Sequence, residues 1–278
     1  MSSPQETNRY HWDEVTNFHA RDNIYGIEEF KAGACRLHRL EREELGDVSG
    51  KTLLHLQCHF GLDTLSWATR GAIVTGVDFS PNAIRLARSI ARDVGISARF
   101  IESDVYALPE QLSDRFDVVF MSYGVLHWLP DMKEWGRLVG RFLKPNGVFY
   151  IIEGHPFAHV FPIDTDIADG SKDLYPRFPY FHNPTGTRWE QNIDYADGVT
   201  RTPPEHTWQH SMGDVVNALV DAGLRIEFLH EFPFCAWKVV AFAELVEPFS
   251  KSHGYYRLPA RFPSLPLMFS IKAAKPAL

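Results

Sequence analysis

The fold of this chain is decided by TLLHLQCHFG at residues 52–61 and by AIVTGVD at residues 72–78. The largely apolar residues 52–57 predict a buried strand, and residues 72–78 predict a second one. Between them, a loop containing Gly61 leads into a helical pattern that includes Trp67. A strand, a helix and a second strand in this order predict a βαβ unit.

The alternation of strands and helices continues along the chain. Ser80 is a residue type that favours helix N-termini, Pro81 suits a first helical turn, and apolar residues then recur at helical spacing as far as Gly95. Asp131 is predicted to begin a further helix. The remaining strands of this part are predicted at residues 98–104, 115–123 and 148–153.

The pattern is less regular outside this part of the chain. Residues 30–45 predict a helix that ends near Gly46, and residues 154–204 are rich in Pro, Gly, Asp and aromatic residues without a sustained period. Ser211 and Asp214 have the spacing of a capping box before a helix. Later strands are predicted at residues 206–210, 224–231 and 265–273.

These elements predict an α/β chain with a doubly wound, Rossmann-like parallel sheet. The length of 278 residues favours one such domain with an insertion. The predicted segments are an N-terminal helical cover at residues 1–50, a Rossmann-like core at 51–153, a lid or substrate insertion at 154–210 and a C-terminal part of the core at 211–278.

Composition narrows the class of protein. The net charge of −7 and the lack of a Lys/Arg run disfavour nucleic acid as a partner. The first residues carry no apolar signal-peptide core, and no apolar run is long enough to cross a bilayer. The three cysteines have no metal or disulfide spacing. We therefore expect a cytoplasmic protein that acts on a small molecule without a membrane or a metal; its oligomeric state is left open.

Ligands of open parallel sheets bind beyond the carboxyl ends of the strands, where the strand order reverses. Asp78 ends the second predicted strand, where a carboxylate can accept hydrogen bonds from both hydroxyls of a ribose. The alternative is a helix cap, a role for which Ser80 competes. Asp104, at the end of the third strand, is positioned to accept from an adenine amino group.

The ordered strand ends resemble those of class I S-adenosylmethionine-dependent methyltransferases over roughly residues 50–153. That class carries [DE]-x-G-x-G-x-G after the first strand, whereas this chain has His55, Gln57 and His59 at three of these positions and matches only at Gly61. GVDFSPNAIRLAR, ARFIESDVYALP, FDVVFMSYGVLHWLPD and LKPNGVFYIIE resemble the later signatures. HLQCHFG in place of the glycine loop also resembles a bacterial group of small-molecule methyltransferases.

The resemblance implies a seven-stranded sheet whose last strand, at residues 265–273, is antiparallel. It implies S-adenosyl-L-methionine as cofactor and an in-line transfer of its sulfonium methyl group. Aromatic faces stabilise such a cation, which adds two N-terminal aromatic residues to the candidates. The candidate cofactor-binding residues are Trp12, Tyr25, Gln57, Cys58, His59, Gly61, Asp78, Phe79, Ser80, Asp104, Val105, Ser122 and Tyr123.

Three residues after the fourth and fifth strands are candidate catalytic residues: His127, Glu153 and His155. Imidazole can accept a proton near pH 7, and the alternative role is a wall residue that shapes the pocket. His206 and His210 are weaker candidates, because an exposed histidine on a strand is more common than a catalytic base. The dispersed histidines and acids show no metal-ligand spacing, so no metal is predicted.

The insertion is predicted either to close over an aromatic-lined pocket or to pack its aromatic residues into a small core of its own, and both can hold at once. Its aromatic residues are Phe157, Phe161, Tyr175, Phe178, Tyr180, Phe181, Trp189 and Tyr195.

The sequence favours an enzyme that methylates an O or N atom of a small hydrophobic or aromatic metabolite. Nucleic-acid methylation is disfavoured because Ser122-Tyr123-Gly124-Val125 stands where an Asn/Asp-Pro-Pro-aromatic tetrapeptide is typical. The altered glycine loop leaves a non-catalytic, S-adenosylmethionine-binding regulatory protein as an alternative. A nicotinamide-dependent oxidoreductase is a further alternative, although GxGxxG is absent.

Overall fold

The computed structural model describes residues 2–21, 23, 25–162, 173–190, 201–248 and 254–277. Tyr195 and parts of the predicted insertion lie outside these residues. The described helices are α1 Pro4–Arg21, α2 Ile27–Lys31, α3 Arg39–Leu45, α4 Leu62–Ala68, α5 Pro81–Asp93, α6 Met132–Phe142 and α7 Met212–Asp221.

A seven-stranded sheet forms the centre of the molecule. Its order is β3-β2-β1-β4-β5-β12-β8, and β12 runs antiparallel to both neighbours. The α/β fold with an antiparallel final strand is therefore confirmed. The strands of this sheet are β1 Thr52–Leu56, β2 Ile73–Asp78, β3 Arg99–Glu102, β4 Phe116–Ser122, β5 Leu143–Gly154, β8 Arg225–Phe232 and β12 Met268–Ala274.

Two smaller antiparallel sheets lie outside the central one. One pairs two short strands of the predicted insertion, and the other pairs three strands of the C-terminal part. Their strands are β6 Thr187–Trp189 with β7 Glu205–Thr207, and β9 Phe234–Cys235, β11 Gly254–Arg257 and β10 Glu244–Pro248.

The inner strands of the central sheet have buried side chains on both faces, to which successive side chains point in turn, whereas the edge strand β8 has no buried residue. Leu54 of β1 packs in a core with Trp135 of α6 and Leu219 of α7, whereas its neighbour Leu53 packs with Trp67 of α4 on the other face. Gly136 lets α6 approach α7 closely, since a Cβ there would lie 2.2 Å from the Ala218 carbonyl oxygen.

Several predicted helix starts are confirmed. Ser80 caps α5 by accepting from the Ala83 N–H, and Asp131 caps α6. Ser211 and Asp214 form a reciprocal capping box at α7. Short polar side chains at these positions satisfy amide groups that the first helical turn leaves unpaired.

Some predicted boundaries are wrong. The predicted helix at residues 30–45 is interrupted over 32–38, because Gly33 adopts a φ of 100° and a capping box at His38 starts α3 anew. Strand β7 ends at Thr207, before the end of the predicted strand at residues 206–210.

The ends of two strands of the central sheet also differ from prediction. Strand β5 begins at Leu143, earlier than predicted, and it contains an irregularity in its pairing with β4 where Asn146 has a φ of 61°. The last strand begins at Met268 rather than 265, after Pro266, which has no N–H to donate.

Candidate active site

The loop after β1 adopts the backbone of a glycine-rich turn without most of the glycines. Gln57, His59 and Gly61 have φ values of 55°, 49° and 76°. Only glycine enters this left-handed region without steric cost, which is about 1–2 kcal/mol for other residues. The loop therefore keeps the conformation that the altered sequence put in question, at the expense of backbone strain at two residues.

The carboxylate of Asp78 fixes this loop. Its Oδ2 accepts from the His59 N–H at 2.8 Å, and its Oδ1 accepts from the Ser80 N–H at 2.9 Å. Burial raises the pKa of Asp78 to about 6, although these N–H donors act in the opposite direction. Each oxygen keeps a lone pair for a further donor.

A cleft opens at the carboxyl ends of β1 and β4, between which the strand order reverses. We call it the switch-point cleft. It takes in about 420 Å³ of space between atoms, including space open to solvent. Its walls are Gln5, Asn8, Gln57, Asp78, Phe79, Ser103, Asp104, Val105, Tyr106, Trp128, Leu129 and Pro130.

The structure thus brings five of the predicted cofactor residues together at this cleft. Gln57 donates from Nε2 to the Val125 carbonyl at 3.1 Å, while its Oε1 is buried without a partner among the described residues. Asp104 accepts from the Tyr106 N–H at 2.7 Å through Oδ1. The cleft therefore offers an unsatisfied amide oxygen and two carboxylates to a ligand that carries hydroxyl or amino groups.

Three of the other candidates point their side chains elsewhere. Cys58 is buried in a core of apolar side chains, and burial raises the pKa of its thiol. Ser122 donates to Asp63 Oδ2 at 3.0 Å, and Tyr123 donates to Glu41 Oε2 at 3.0 Å. None of the three lines the switch-point cleft, because strand and turn geometry turns these side chains toward other parts of the molecule.

Ser80 and Asp13 join α1 to the core. The Ser80 hydroxyl donates to Asp13 Oδ1 at 2.9 Å while it also caps α5. Asp13 additionally accepts from the Asn82 N–H. Ser80 therefore fills the helix-cap role, and the Asp78 side chain is left to the loop and the cleft.

The two N-terminal aromatic candidates pack behind the walls of the cleft. The Trp12 ring lies 5.3 Å from the rings of both Trp128 and His59, and the Tyr25 ring lies 5.4 Å from that of His59. Neither residue lines the cleft. The His59 side chain points toward α1, so its contribution at the cleft is its backbone N–H.

A second cavity, which we call the histidine cavity, lies beyond His127, whose neighbour Trp128 lines the switch-point cleft. It takes in about 290 Å³ of space between atoms, including space open to solvent. Burial lowers the pKa of His127 to about 3, and neighbouring His159 and His210 act in the same direction. The cavity is lined by Leu126, His127, Glu153, Gly154, Pro156, His159, Trp208, Gln209, His210 and Val215.

Glu153 also borders the histidine cavity, but its carboxylate is bound to the backbone. Oε1 accepts from the N–H groups of Gly124 and Gly154, both at 2.6 Å. Oε2 accepts from the N–H of Val125 at 2.6 Å and of Leu126 at 3.3 Å. Burial nevertheless raises the pKa of Glu153. This side chain organises the turn after β4, a role that the strand pattern alone did not reveal.

His155 faces away from both cavities. Its Nδ1 accepts from the Phe157 N–H at 3.0 Å, so Nε2 carries a proton and contacts Glu231 Oε1 at 2.8 Å. Burial lowers the pKa of His155, and the Glu231 carboxylate opposes this effect. His206 does not line either cavity, whereas His210 lines the histidine cavity.

Sequence reasoning missed the contribution of α1 to the cleft. Gln5 and Asn8 line it from one face of this helix. Asn8 also donates to the His206 carbonyl at 2.8 Å and accepts from the His206 N–H at 2.6 Å, which ties α1 to β7. Polar residues three positions apart near a helix start are the available signal, and it is a weak one. His159 was missed as well.

The described residues show neither a metal-binding cluster nor a membrane-spanning helix. No group of three or more His, Cys, Asp or Glu among them is arranged to hold a metal ion. None of the described helices combines the length and apolar character needed to span a membrane.

Comparison with known proteins identifies the central part of the chain. Residues 54–149 match the sequence model of a family described as a methyltransferase domain. A ubiquinone biosynthesis O-methyltransferase of Pseudomonas fluorescens (strain Pf0-1) is 30% identical over 123 residues, which cover 44% of this chain and 53% of that protein. The chain thus spans about half the length of the curated relatives it matches.

Solved structures share the fold. An S-adenosylmethionine-dependent methyltransferase from Mesorhizobium loti superposes with a TM-score of 0.52 and 20% identity, covering 88% of this chain and 99% of that one. A glycopeptide N-methyltransferase in complex with S-adenosyl-L-methionine gives a TM-score of 0.52 and 17% identity, with 86% of each chain covered. At such identities the likeness shows a shared architecture.

Proposed function

We propose that this chain, whose residues 54–149 match a methyltransferase-domain family, is a class I S-adenosylmethionine-dependent methyltransferase that methylates an O or N atom of a small hydrophobic or aromatic metabolite. The observation that carries the proposal is the switch-point cleft, where Asp78, Asp104 and Gln57 converge at the reversal of strand order. Bound S-adenosyl-L-methionine would supply an electrophilic methyl group on a sulfonium centre.

The residues of the cleft fit this cofactor. Asp78 would accept from the ribose hydroxyls, because each of its oxygens retains a lone pair. Asp104 and Val105 would border the adenine edge. The unsatisfied Oε1 of Gln57 would accept from the amino group of the methionine portion. Phe79 would pack against the adenosine.

Methyl transfer depends mainly on holding donor and acceptor in line in a site that excludes water. His127 lines the histidine cavity and its neighbour Trp128 lines the switch-point cleft, so the histidine cavity would hold the acceptor. His127 would accept a proton from an acceptor that arrives protonated. We assign Glu153 a positioning role, because four backbone N–H groups already occupy its oxygens, and His155 no direct role.

Helix α1 would cover the cofactor. Gln5 and Asn8 line the cleft from this helix, and Asp13 and His59 hold it against the core. The insertion would border the acceptor through Trp208 and His210. We also propose a cytoplasmic location, because Cys35, Cys58 and Cys235 are free thiols, which suits a reducing compartment.

Turnover with methyl-labelled S-adenosylmethionine tests the proposal. A panel of aromatic phenols, carboxylic acids and amines should contain acceptors that gain label, with Asp78→Ala as the impaired control. Cofactor binding with no labelled product from any class would favour a regulatory protein instead. Hydride exchange with a nicotinamide cofactor would favour an oxidoreductase.

A further inference from the structure

The histidine cavity has an unusual inventory of polar groups. Its one acidic side chain, Glu153, has both oxygens bound to backbone N–H groups. No lysine or arginine is among the described residues that line it. Rather than a fixed charge, a polar ligand would therefore meet the imidazoles of His127, His159 and His210, the Gln209 amide and the indole N–H of Trp208, which has no partner among the described residues.

Two of these imidazoles each have a ring nitrogen that is available to hydrogen-bond with a ligand. His127 Nδ1 is buried and has no hydrogen-bond partner among the described residues. His210 Nε2 lies 2.7 Å from the Leu129 carbonyl, so it must donate, and Nδ1 of the neutral ring keeps its lone pair. An unsatisfied buried nitrogen costs free energy that a ligand with a matching group recovers.

Burial and mutual proximity keep these rings neutral. The His127 and His159 rings are 5.7 Å apart, and burial lowers the pKa of His159 and of His210 to about 4 each. The titratable and charged groups around the cluster are His155 beside His159, and His182, Asp131 and Asp214 beside His210. The two aspartates favour the charged form of His210, and His182 opposes it.

We propose that the histidine cavity binds its acceptor as an oxygen acid, a carboxylic acid or an acidic phenol, by placing a proton on an imidazole of His127, His159 or His210 beside the ligand anion. This inference rests on the proposed function. For a phenol, the ligand O–H bond breaks and an imidazole N–H bond forms. For a carboxylate, the proton comes from solvent.

The methyl transfer that follows forms one bond and breaks one bond. An oxygen lone pair of the anion forms the new O–CH₃ bond, and the S–CH₃ bond breaks with its electron pair remaining on sulfur. The imidazolium then returns its proton to water.

An amine acceptor fits the cavity less well. A protonated amine would be a buried cation next to a sulfonium cation, and the one carboxylate among the described residues that line the cavity, Glu153, is already bound by backbone N–H groups. An oxygen anion is instead attracted by the sulfonium and by the imidazolium that forms beside it. Charge balance thus favours the acid over the amine, whereas a neutral alcohol would bind without any proton movement.

Titration calorimetry with benzoate and its neutral analogue benzamide tests this inference. The protein is saturated with S-adenosylhomocysteine at about pH 6.5 and measured in two buffers of different ionisation enthalpy. We expect benzoate to bind more tightly than benzamide, with uptake of about one proton per benzoate. Equal affinities, or benzoate binding without proton uptake, would exclude the carboxylic acid form of the proposal.

The phenol form of the proposal is tested by 4-nitrophenol, whose anion absorbs visible light. At a pH at which the free phenol is largely neutral, binding should produce phenolate absorption without net proton uptake. The proposal holds if the cavity binds either type of acid in this way, and the two probes show which type it binds. If neither probe binds with proton movement, the inference is wrong.

Variants locate the proton. Among His127→Gln, His159→Gln and His210→Gln, the variant that removes the proton-bearing ring should lower benzoate affinity several-fold more than benzamide affinity, whereas His206→Gln, outside the cavity, should change neither. Loss of both affinities to the same extent would indicate a purely structural role and contradict the proposal. Failure of S-adenosylhomocysteine itself to bind would instead refute the proposed function, so the two failures are distinguishable.

Discussion

The backbone N–H of His59 donates to Oδ2 of Asp78 at 2.8 Å, so a residue in left-handed conformation is held by the carboxylate at the end of the neighbouring strand. This contact explains how the loop after β1 keeps its shape with histidine in place of glycine. It also makes Asp78 both a ligand-facing group and a support of the loop.

Replacement of this carboxylate should weaken cofactor binding. We expect Asp78→Ala to raise the dissociation constant for S-adenosylhomocysteine by roughly 10- to 150-fold, or about 1.5–3 kcal/mol, the range for hydrogen bonds to a charged group. Calorimetry on folded protein measures this change. Asp93→Ala, at an exposed acid of α5 that pairs with Lys31, is the matched control and should leave the affinity unchanged. Unaltered affinity in Asp78→Ala would remove Asp78 from the site.

Strain at His59 should appear in a comparison of two truncations. His59→Ala and His59→Gly both lose the ring that packs against Trp12 and Tyr25, but only glycine is relaxed at a φ of 49°. We expect the glycine variant to be more stable than the alanine variant by about 1 kcal/mol in denaturant unfolding. The reverse order would mean that the loop is not strained at this residue.

A variant of Glu153 can distinguish a positioning role of this residue from a role in proton transfer. In Glu153→Gln one oxygen becomes an NH₂ group that faces backbone donors, so we expect a loss of about 2–4 kcal/mol in the free energy of unfolding. The turn that holds Gln57 through Val125 would shift, and affinity for S-adenosylhomocysteine would fall. A variant of normal stability and normal cofactor affinity, but without turnover, would instead identify Glu153 as a base.

Stability should fall as the pH rises from about 4.5 to about 8 because of Glu41. Burial and the nearby Asp63 raise the pKa of Glu41 from 4.5 to about 8. The folded state therefore holds a proton that the unfolded state has released, and this stabilisation is complete below about pH 4.5 and is lost as the pH rises through about 8. Unfolding free energies between about pH 6 and pH 9 should show this decline.

Glu41→Gln removes the titrating carboxyl group. The slope of the unfolding free energy against pH should therefore become less steep by the contribution of about one proton. Glu43→Gln, on the same helix but exposed, should leave the slope as it is in the original protein. A slope that Glu41→Gln leaves intact would assign the pH dependence to other groups.

The sheet and its helix caps were predictable from sequence because each depends on local pattern. Apolar strands, Ser80 before Pro81, and the spacing of Ser211 and Asp214 each determine structure over a few residues. The helix predicted over 30–45 was wrong because the interruption at Gly33 overrides its helical composition.

Side-chain directions at the strand ends were harder to predict. Asp78 and Ser122 both end strands, yet one side chain faces the cleft and the other faces Asp63. A shift of one residue in a strand reverses the face on which a side chain lies, and turns with positive φ redirect it again. Asn8 of α1 is held by a hydrogen bond to His206, which lies 198 residues further along the chain, and no local sequence pattern predicts such a contact.

The central claim is that the switch-point cleft binds S-adenosylmethionine through Asp78. Calorimetric titration of the protein, and of Asp78→Ala, with S-adenosylhomocysteine and with NAD tests it most directly. We predict saturable binding of S-adenosylhomocysteine that Asp78→Ala weakens, and no binding of NAD at the same concentrations. Tight binding of NAD without any response to S-adenosylhomocysteine would contradict the claim.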